Sequence, residues 1–264
     1  MVEITPHLGI GDLIIIKMIE LKYNLVFSKI NINRKLIETY SSDHNSKQVF
    51  IEKFLHLLFP TIPSQVNNSP LDFTAFCRKY PLQYAYLYDT IQPTILPNIN
   101  KEYFTAIVFH TKMRHDGLMG RIMRDFLPEL QVFFKRFRTS RPIVIVGERN
   151  IGKNIETITH NTQSLYTSMS ALKENNTVID LTQDVLTDGI EFDLFLNDLE
   201  LMNKCACNVT FGIGGPFVLT AAFSKRRIAV IPYLSSSPHM HNSVCIHDTI
   251  CQSMSELENH LTSL

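Results

Sequence analysis

The stretch "PIVIVGERNIGKN", residues 142–154, decides how the rest of the chain is read. A β-branched run, Ile143 to Val146, leads into Gly147, and Gly152-Lys153 follow after a short gap. An unbroken Val/Ile run bounded by a glycine reads as a strand buried on both faces, which belongs in a parallel sheet covered by helices. The glycines pose a choice. Gly-x-x-x-x-Gly-Lys is the phosphate-cradling loop of an NTPase when Ser or Thr comes next, because that hydroxyl holds Mg²⁺. Position 154 is Asn, and Glu148 puts a carboxylate where phosphates would lie. The NTPase is thus a degenerate alternative. Gly147-Glu148 reads instead as a strand's carboxyl end beside a nucleotide, with Glu148 bonding ribose or base.

Outward from this strand, β-type runs and helical patterns alternate. "FTAIVFH" (104–110), "TVIDL" (177–181), "CNVTFG" (207–212) and "RIAVIPY" (227–233) are strands. "LMGRIMRDFLPELQVFFKRF" is a helical stretch interrupted or restarted at Pro128, and the last twelve residues form a helix capped by Ser253. In the first part, Val2–Thr5 and "NLVFSKI" are strands. Leu13–Leu21 and a segment around Val49–Leu58, stopped by Pro60, are helices. Prolines 60, 63, 70, 81, 93 and 97 predict loops and a hinge near "QPTILPNINKE". The fold class is α/β: two Rossmann-like halves with parallel sheets, residues 1–98 and a fuller 99–264.

Lys+Arg 25 balances Asp+Glu 25, so no overall basicity recruits nucleic acid, and an anion site must be local. No segment approaches the roughly 20 apolar residues of a membrane span, and no secretory leader is visible. Five cysteines, an odd number, suit free thiols in a reducing compartment, so the expectation is a cytoplasmic protein. His239, His241, Cys245, His247 and Cys251 lack the spacing of a zinc site, and no metal is expected.

Three loops carry candidate chemistry. "TPHLGIGD" places His7, Gly9 and Gly11 in the turn after the first strand and Asp12 at the next helix start, as a helix cap or as a general base. "FHTKMRHDG" sets Lys112 and Arg114, with His110, His115 and Asp116, directly after a strand, where two cations suit a diphosphate. "NVTFGIGGPF" offers Thr210, Gly212, Gly214 and Gly215 ahead of a helix beginning near Pro216, a ready anion cradle.

Taken in order, these loops resemble those of two-domain GT-B glycosyltransferases, above all the heptosyltransferases and more distantly the fucosyltransferases. "LGIGD" is similar to the heptosyltransferase loop whose aspartate is the proposed base. "FHTKMRHDG" is similar to the loop that holds a lysine near the donor diphosphate, although Met113 splits the basic pair. "NVTFGIGGPF" is similar to the donor-phosphate loop, without the aspartate that usually precedes its Thr-Gly pair. The resemblance implies hexosyl or pentosyl transfer in glycan biosynthesis, from a nucleotide-diphosphate sugar to a glycan or other hydroxyl acceptor. It implies no obligatory metal or cofactor. Asp12 would be catalytic. Lys112, Arg114, Gly147, Glu148, Thr210, Gly212, Gly214, Gly215 and Pro216 would bind donor, and His7, Gly9 and Gly11 would form the acceptor-side loop. A nucleotide-sugar epimerase of the same architecture, a non-catalytic binding protein and the degenerate P-loop NTPase are the alternatives.

Overall fold

The computed structural model describes residues 2–7, 9–35, 44–81, 85–91, 101–113, 117–147, 160–183, 191–232 and 249–264. It contains two parallel sheets. The first has strands β1 (Val2–Ile4), β2 (Phe27–Asn33) and β3 (Ser64–Asn67), side by side in chain order. The second has β4 (Ile107–His110), β5 (Ile143–Val146), β6 (Val178–Asp180), β7 (Cys207–Phe211), β8 (Arg227–Val230) and β9 (Thr249–Cys251). Their spatial order is β6-β5-β4-β7-β8-β9, and every pair is parallel. Counted within this sheet the order is 3-2-1-4-5-6, the doubly wound Rossmann arrangement. The chain reverses its winding between β4 and β7, and in such sheets the crevice beyond those two strand ends is where ligands sit.

The continuous Val/Ile/Phe runs fold as strands because both faces are covered. On one face Phe109 of β4 stacks on Phe211 of β7 at 6.2 Å and meets Phe134 edge-on at 5.8 Å. Phe134 lies on α5 (Gly117–Arg136), which buries Met123, Phe126, Leu130, Phe133 and Phe134 at helical spacing. That apolar face carries the helix without a break through Pro128, where the sequence suggests an interruption. Proline removes one backbone N–H and crowds the preceding turn; packing of the flanking apolar side chains outweighs that loss here. On the other face Val108, Val144 and Val146 meet Leu201 and Cys205 beside α7 (Glu191–Lys204). The chain closes with α9 (Met254–Thr262), whose Ser253 accepts a hydrogen bond from the Glu256 N–H, the expected cap.

The proline-rich segment holds more regular structure than its composition suggests. It contains β3, α3 (Phe73–Lys79) and the single turn α4 (Tyr88–Ile91), while the hinge expected at 92–102 and the 98/99 boundary fall largely or wholly outside the described residues. The two sheets are joined by packed helices. The first helix, α1 (Ile10–Tyr23), buries Leu13, Ile14, Ile16, Met18 and Ile19. It packs against α8 (Gly215–Phe223), in which every side chain from Phe217 to Phe223 is buried. The second is apolar on all sides and the first along its packed face, surfaces that belong in an interior, and these two helices form the seam between the sheets. A second contact comes from α2 (His44–Leu58), whose Phe50 and Phe54 each meet Phe195 of α7 at 5.4 Å. Residues 85–91 form a strap across α7 and α8: Leu87 is fully buried and its N–H donates to the Ala222 carbonyl at 2.7 Å. Tyr86 and Tyr88 bond Asn203 and Glu200 of α7. One continuous hydrophobic core therefore runs through both sheets.

Candidate functional site

The site is built where the two carboxyl edges meet. The α1 helix starts just beyond the carboxyl end of β1, and α8 starts just beyond that of β7. Their first turns touch backbone to backbone: a Cβ added at Gly11 would lie 3.5 Å from the Gly215 Cα and 3.7 Å from Val218 Cβ. Two helix N-termini, each with unsatisfied amides and the positive end of a macrodipole, thus lie side by side at the crevice.

Asp12 stands in the first turn of α1. The helix cap is Gly9, and its backbone carbonyl accepts from the Asp12 N–H at 3.0 Å. The N-cap position is thus held by Gly9, and Asp12 is an acidic residue of the first helical turn. Partial burial pushes its carboxyl up to about 6, and the nearby His7 offsets part of that rise. His7 is held by Phe73 of α3, edge-on at 5.8 Å. From the same helix Cys77 comes close enough to feel the Asp12 charge; burial first, and Asp12 second, push its thiol up to about 11. The turn before α1 is anchored by Asp72, whose carboxylate accepts from the Thr5 N–H at 2.8 Å. A carboxyl of pKa near 6 at a crevice mouth is suited to taking a proton at neutral pH.

The glycine loop after β7 divides into two kinds of position. Gly212 has φ 73°, a left-handed conformation that favours glycine, and its N–H donates to the Val230 carbonyl at 2.8 Å. Gly214 is extended, and among the described residues a Cβ added at Gly214 or Gly215 would meet nothing within 4 Å. Neither packing against those residues nor backbone strain requires glycine at these two positions, and the described residues leave the space beside the α8 start open. Pro216 occupies the first turn of α8, where its missing N–H costs nothing. Thr210 is 1% exposed, and among the described residues its hydroxyl has no hydrogen-bond partner.

Gly147 is glycine for a reason the sequence does not display. Its φ is 153°, and an added Cβ would lie 2.0 Å from Thr111 Oγ1. The Thr111 N–H donates to the Val146 carbonyl at 3.0 Å, extending the β4–β5 ladder and drawing Thr111 against Gly147. Thr111, fully buried with an unpartnered hydroxyl among the described residues, is the crevice residue that the sequence reading missed. Thr111 is a polar residue directly after a fully buried strand, as Thr210 is one near the end of its own, and that is the signal that would have flagged it.

Lys112 is exposed just beyond β4. The following Met113 is buried, and its backbone N–H and carbonyl both bond the hydroxyl of Thr162 on α6 (His160–Met169). This pins the base of the Lys112 loop. His110, grouped with these cations in the sequence, points elsewhere: it is buried within β4 with Nε2 3.2 Å from Asn208 Oδ1. Burial pushes its pKa down to about 4, so it is a neutral structural residue. Asn208 in turn donates to the Met202 carbonyl and the Ser224 hydroxyl, at 2.8 Å each. Arg114, His115, Asp116 and Glu148, like Gly152-Lys153-Asn154 and the His239–His247 cluster, lie outside the described residues. Cys251 is buried in β9.

A groove of about 330 Å³ lined by Pro128, Val132, Phe133, Arg136 and Met254 lies between α5 and α9. The carboxyl-terminal half of α5 runs back toward the amino edge of the sheet, so this groove is separate from the crevice. Among the described residues no group of three His, Cys, Asp or Glu side chains is arranged to hold a metal ion, and no helix is long and apolar enough to cross a membrane. No protein-family model matches the chain, and comparison with characterised proteins and with solved structures gives no match.

Proposed function

We propose that this protein transfers a sugar from a nucleotide-diphosphate sugar to an acceptor hydroxyl without an obligatory metal. One juxtaposition carries the reading: a carboxyl of pKa near 6, offered by the first half, adjoins a helix N-terminus in the second that the described residues leave open, at the switch point of a doubly wound sheet. The α8 start would receive the donor diphosphate on the amides around Gly214 and Gly215, with Lys112 adding a point charge. Asp12 would accept the acceptor hydroxyl proton as the new C–O bond forms. The bond from the sugar carbon to the phosphate oxygen breaks, its electron pair leaving on the diphosphate, where the helix dipole stabilises the charge.

The test is a screen of UDP-, GDP- and ADP-sugars by thermal shift, with and without a chelator, followed by product analysis with hydroxyl acceptors. Transfer yields a glycoside and a free nucleoside diphosphate, unaffected by chelation and lost in Asp12→Asn. Full activity in that variant refutes the assignment of the base. Among the described residues the first sheet has three strands, which favours a second reading: a binding protein that retains the cradle without catalysis. Stabilisation by a nucleotide sugar, with no product from any acceptor and no epimerised donor, would select it.

A further inference from the structure

The contact between Gly11 and Gly215 has a consequence for how the two parts of the site act together, and it rests on the function proposed above. We propose that Gly11 is a positioning residue: its backbone contact with Gly215 holds Asp12 at a fixed distance from the α8 N-terminus, so that a bound anion and the Asp12 proton are coupled without any closure of the two halves.

The geometry leaves little freedom. A Cβ at position 11 would be in ordinary contact with Gly215 Cα at 3.5 Å and with Val218 at 3.7 Å, so alanine fits there, while the γ-carbons of valine would reach into the α8 backbone. Three further fastenings resist a change of angle between the halves: the Leu87 N–H on the Ala222 carbonyl, the Tyr86 and Tyr88 bonds to α7, and the packing of Phe50 and Phe54 on Phe195. Asp12 follows Gly11 directly, so its carboxyl lies within roughly 10 Å of the first α8 amides, given 3.8 Å between successive Cα atoms.

The charges around Asp12 do not mask such a coupling. His7 faces it from the β1–α1 turn, and Cys77 from α3 is protonated at neutral pH. Asp72, also at the α3 start, is engaged with the Thr5 N–H. Within α8, Gly215–Phe223 carries no ionisable side chain. Helix α2 contributes Glu52, Lys53 and His56, and Lys112 is the exposed cation beyond β4. A dianion at the α8 start therefore disfavours ionised Asp12 by direct repulsion across a partly buried gap, by about one pH unit at this separation. The effect moves the carboxyl closer to neutral pH when donor is bound, strengthening it as a base at the moment of use.

The experiment follows the Asp12 carboxyl carbon by NMR through a pH titration, in sulfate and in chloride matched for ionic strength. Sulfate is dianionic across the whole range, so its own protonation does not enter. In the native chain sulfate should shift the amides of Gly214, Gly215 and Phe217 and raise the Asp12 midpoint by about one pH unit. Gly11→Ala should keep that coupling. Gly11→Val, by forcing the two helix starts apart by roughly 3 Å, should weaken it by about a quarter, since the interaction falls as the inverse of distance, and Val218→Ala, which loosens the same contact from the α8 side, should reduce it in a chain that keeps Gly11. Sulfate that shifts the α8 amides but leaves the Asp12 midpoint unmoved overturns the positioning role alone. Undiminished coupling in both Gly11→Val and Val218→Ala does the same. Sulfate that moves neither removes the anion cradle, and with it the proposed function.

Discussion

Replacing Gly147 by alanine tests whether the end of β5 is shaped by its neighbour strand. Two costs arise together. The backbone at φ 153° lies outside the regions open to a residue with a Cβ, and holding alanine there costs about 1–3 kcal/mol. The new methyl would also sit 2.0 Å from Thr111 Oγ1 and 3.2 Å from Thr111 Cβ. Thr111 is fully buried and tied through its N–H to Val146, so it cannot retreat. Displacement of a packed side chain adds about 1–3 kcal/mol. The sum, about 2–6 kcal/mol, corresponds to a fall in Tm of roughly 5–20 °C for a chain of this size. Urea denaturation of Gly147→Ala, Thr111→Ala and the double variant separates the terms. Removing Oγ1 relieves the closest overlap and leaves the dihedral cost, so the two substitutions should couple by about 1 kcal/mol or more. A Gly147→Ala variant within 1 kcal/mol of the parent, or a double variant that is simply additive, refutes this account.

Asp12→Asn should make the fold more stable at alkaline pH, with the sign set by the raised pKa. The carboxyl stands at about 6 in the fold against an ordinary 3.8, so the folded state holds the proton more tightly than the unfolded one. The stability it lends is fully present below pH 3.8 and is lost as pH rises through 6. Above that, Asn should be favoured by on the order of 2 kcal/mol, a gain in the denaturation midpoint at pH 8 that disappears near pH 3.5; a loss at pH 8 would count against burial as the cause. The same ionisation should appear in transfer activity as a rising limb centred near pH 6 in the free enzyme, absent from Asp12→Asn. Leu87→Ala should destabilise the chain by about 2–5 kcal/mol, because the side chain is fully buried where the strap crosses α8. A change below 1 kcal/mol in chemical denaturation would mean that the strap is not part of the common core.

What the sequence disclosed follows the range of the interactions involved. Strands β4, β5 and β7 were legible because burial on both faces demands unbroken apolar runs, a property of each segment alone. Strand β3 was not. "SQVN" sits at the edge of the first sheet with its first two residues exposed, so no hydrophobic pattern marks it. The identity of Gly147 depends on Thr111, and the neutrality of His110 on its burial within the sheet, where its ring nitrogen meets Asn208, 98 positions away; a loop read by itself assigns both residues to a ligand. One long-range feature did leave a local trace. The runs "LIIIKMI" and "PFVLTAAF" are apolar on almost every side, and a helix of that kind must be enclosed by protein. In a chain with two sheets, the surroundings able to enclose two such helices are the sheets and the helices themselves. Taken together, the two runs would have pointed to a shared seam between the sheets, a reading that no single loop offers. It is this seam that brings Gly11 to Gly215, and so Asp12 to the α8 start, which means that the candidate site and the core of the protein are set by the same packing.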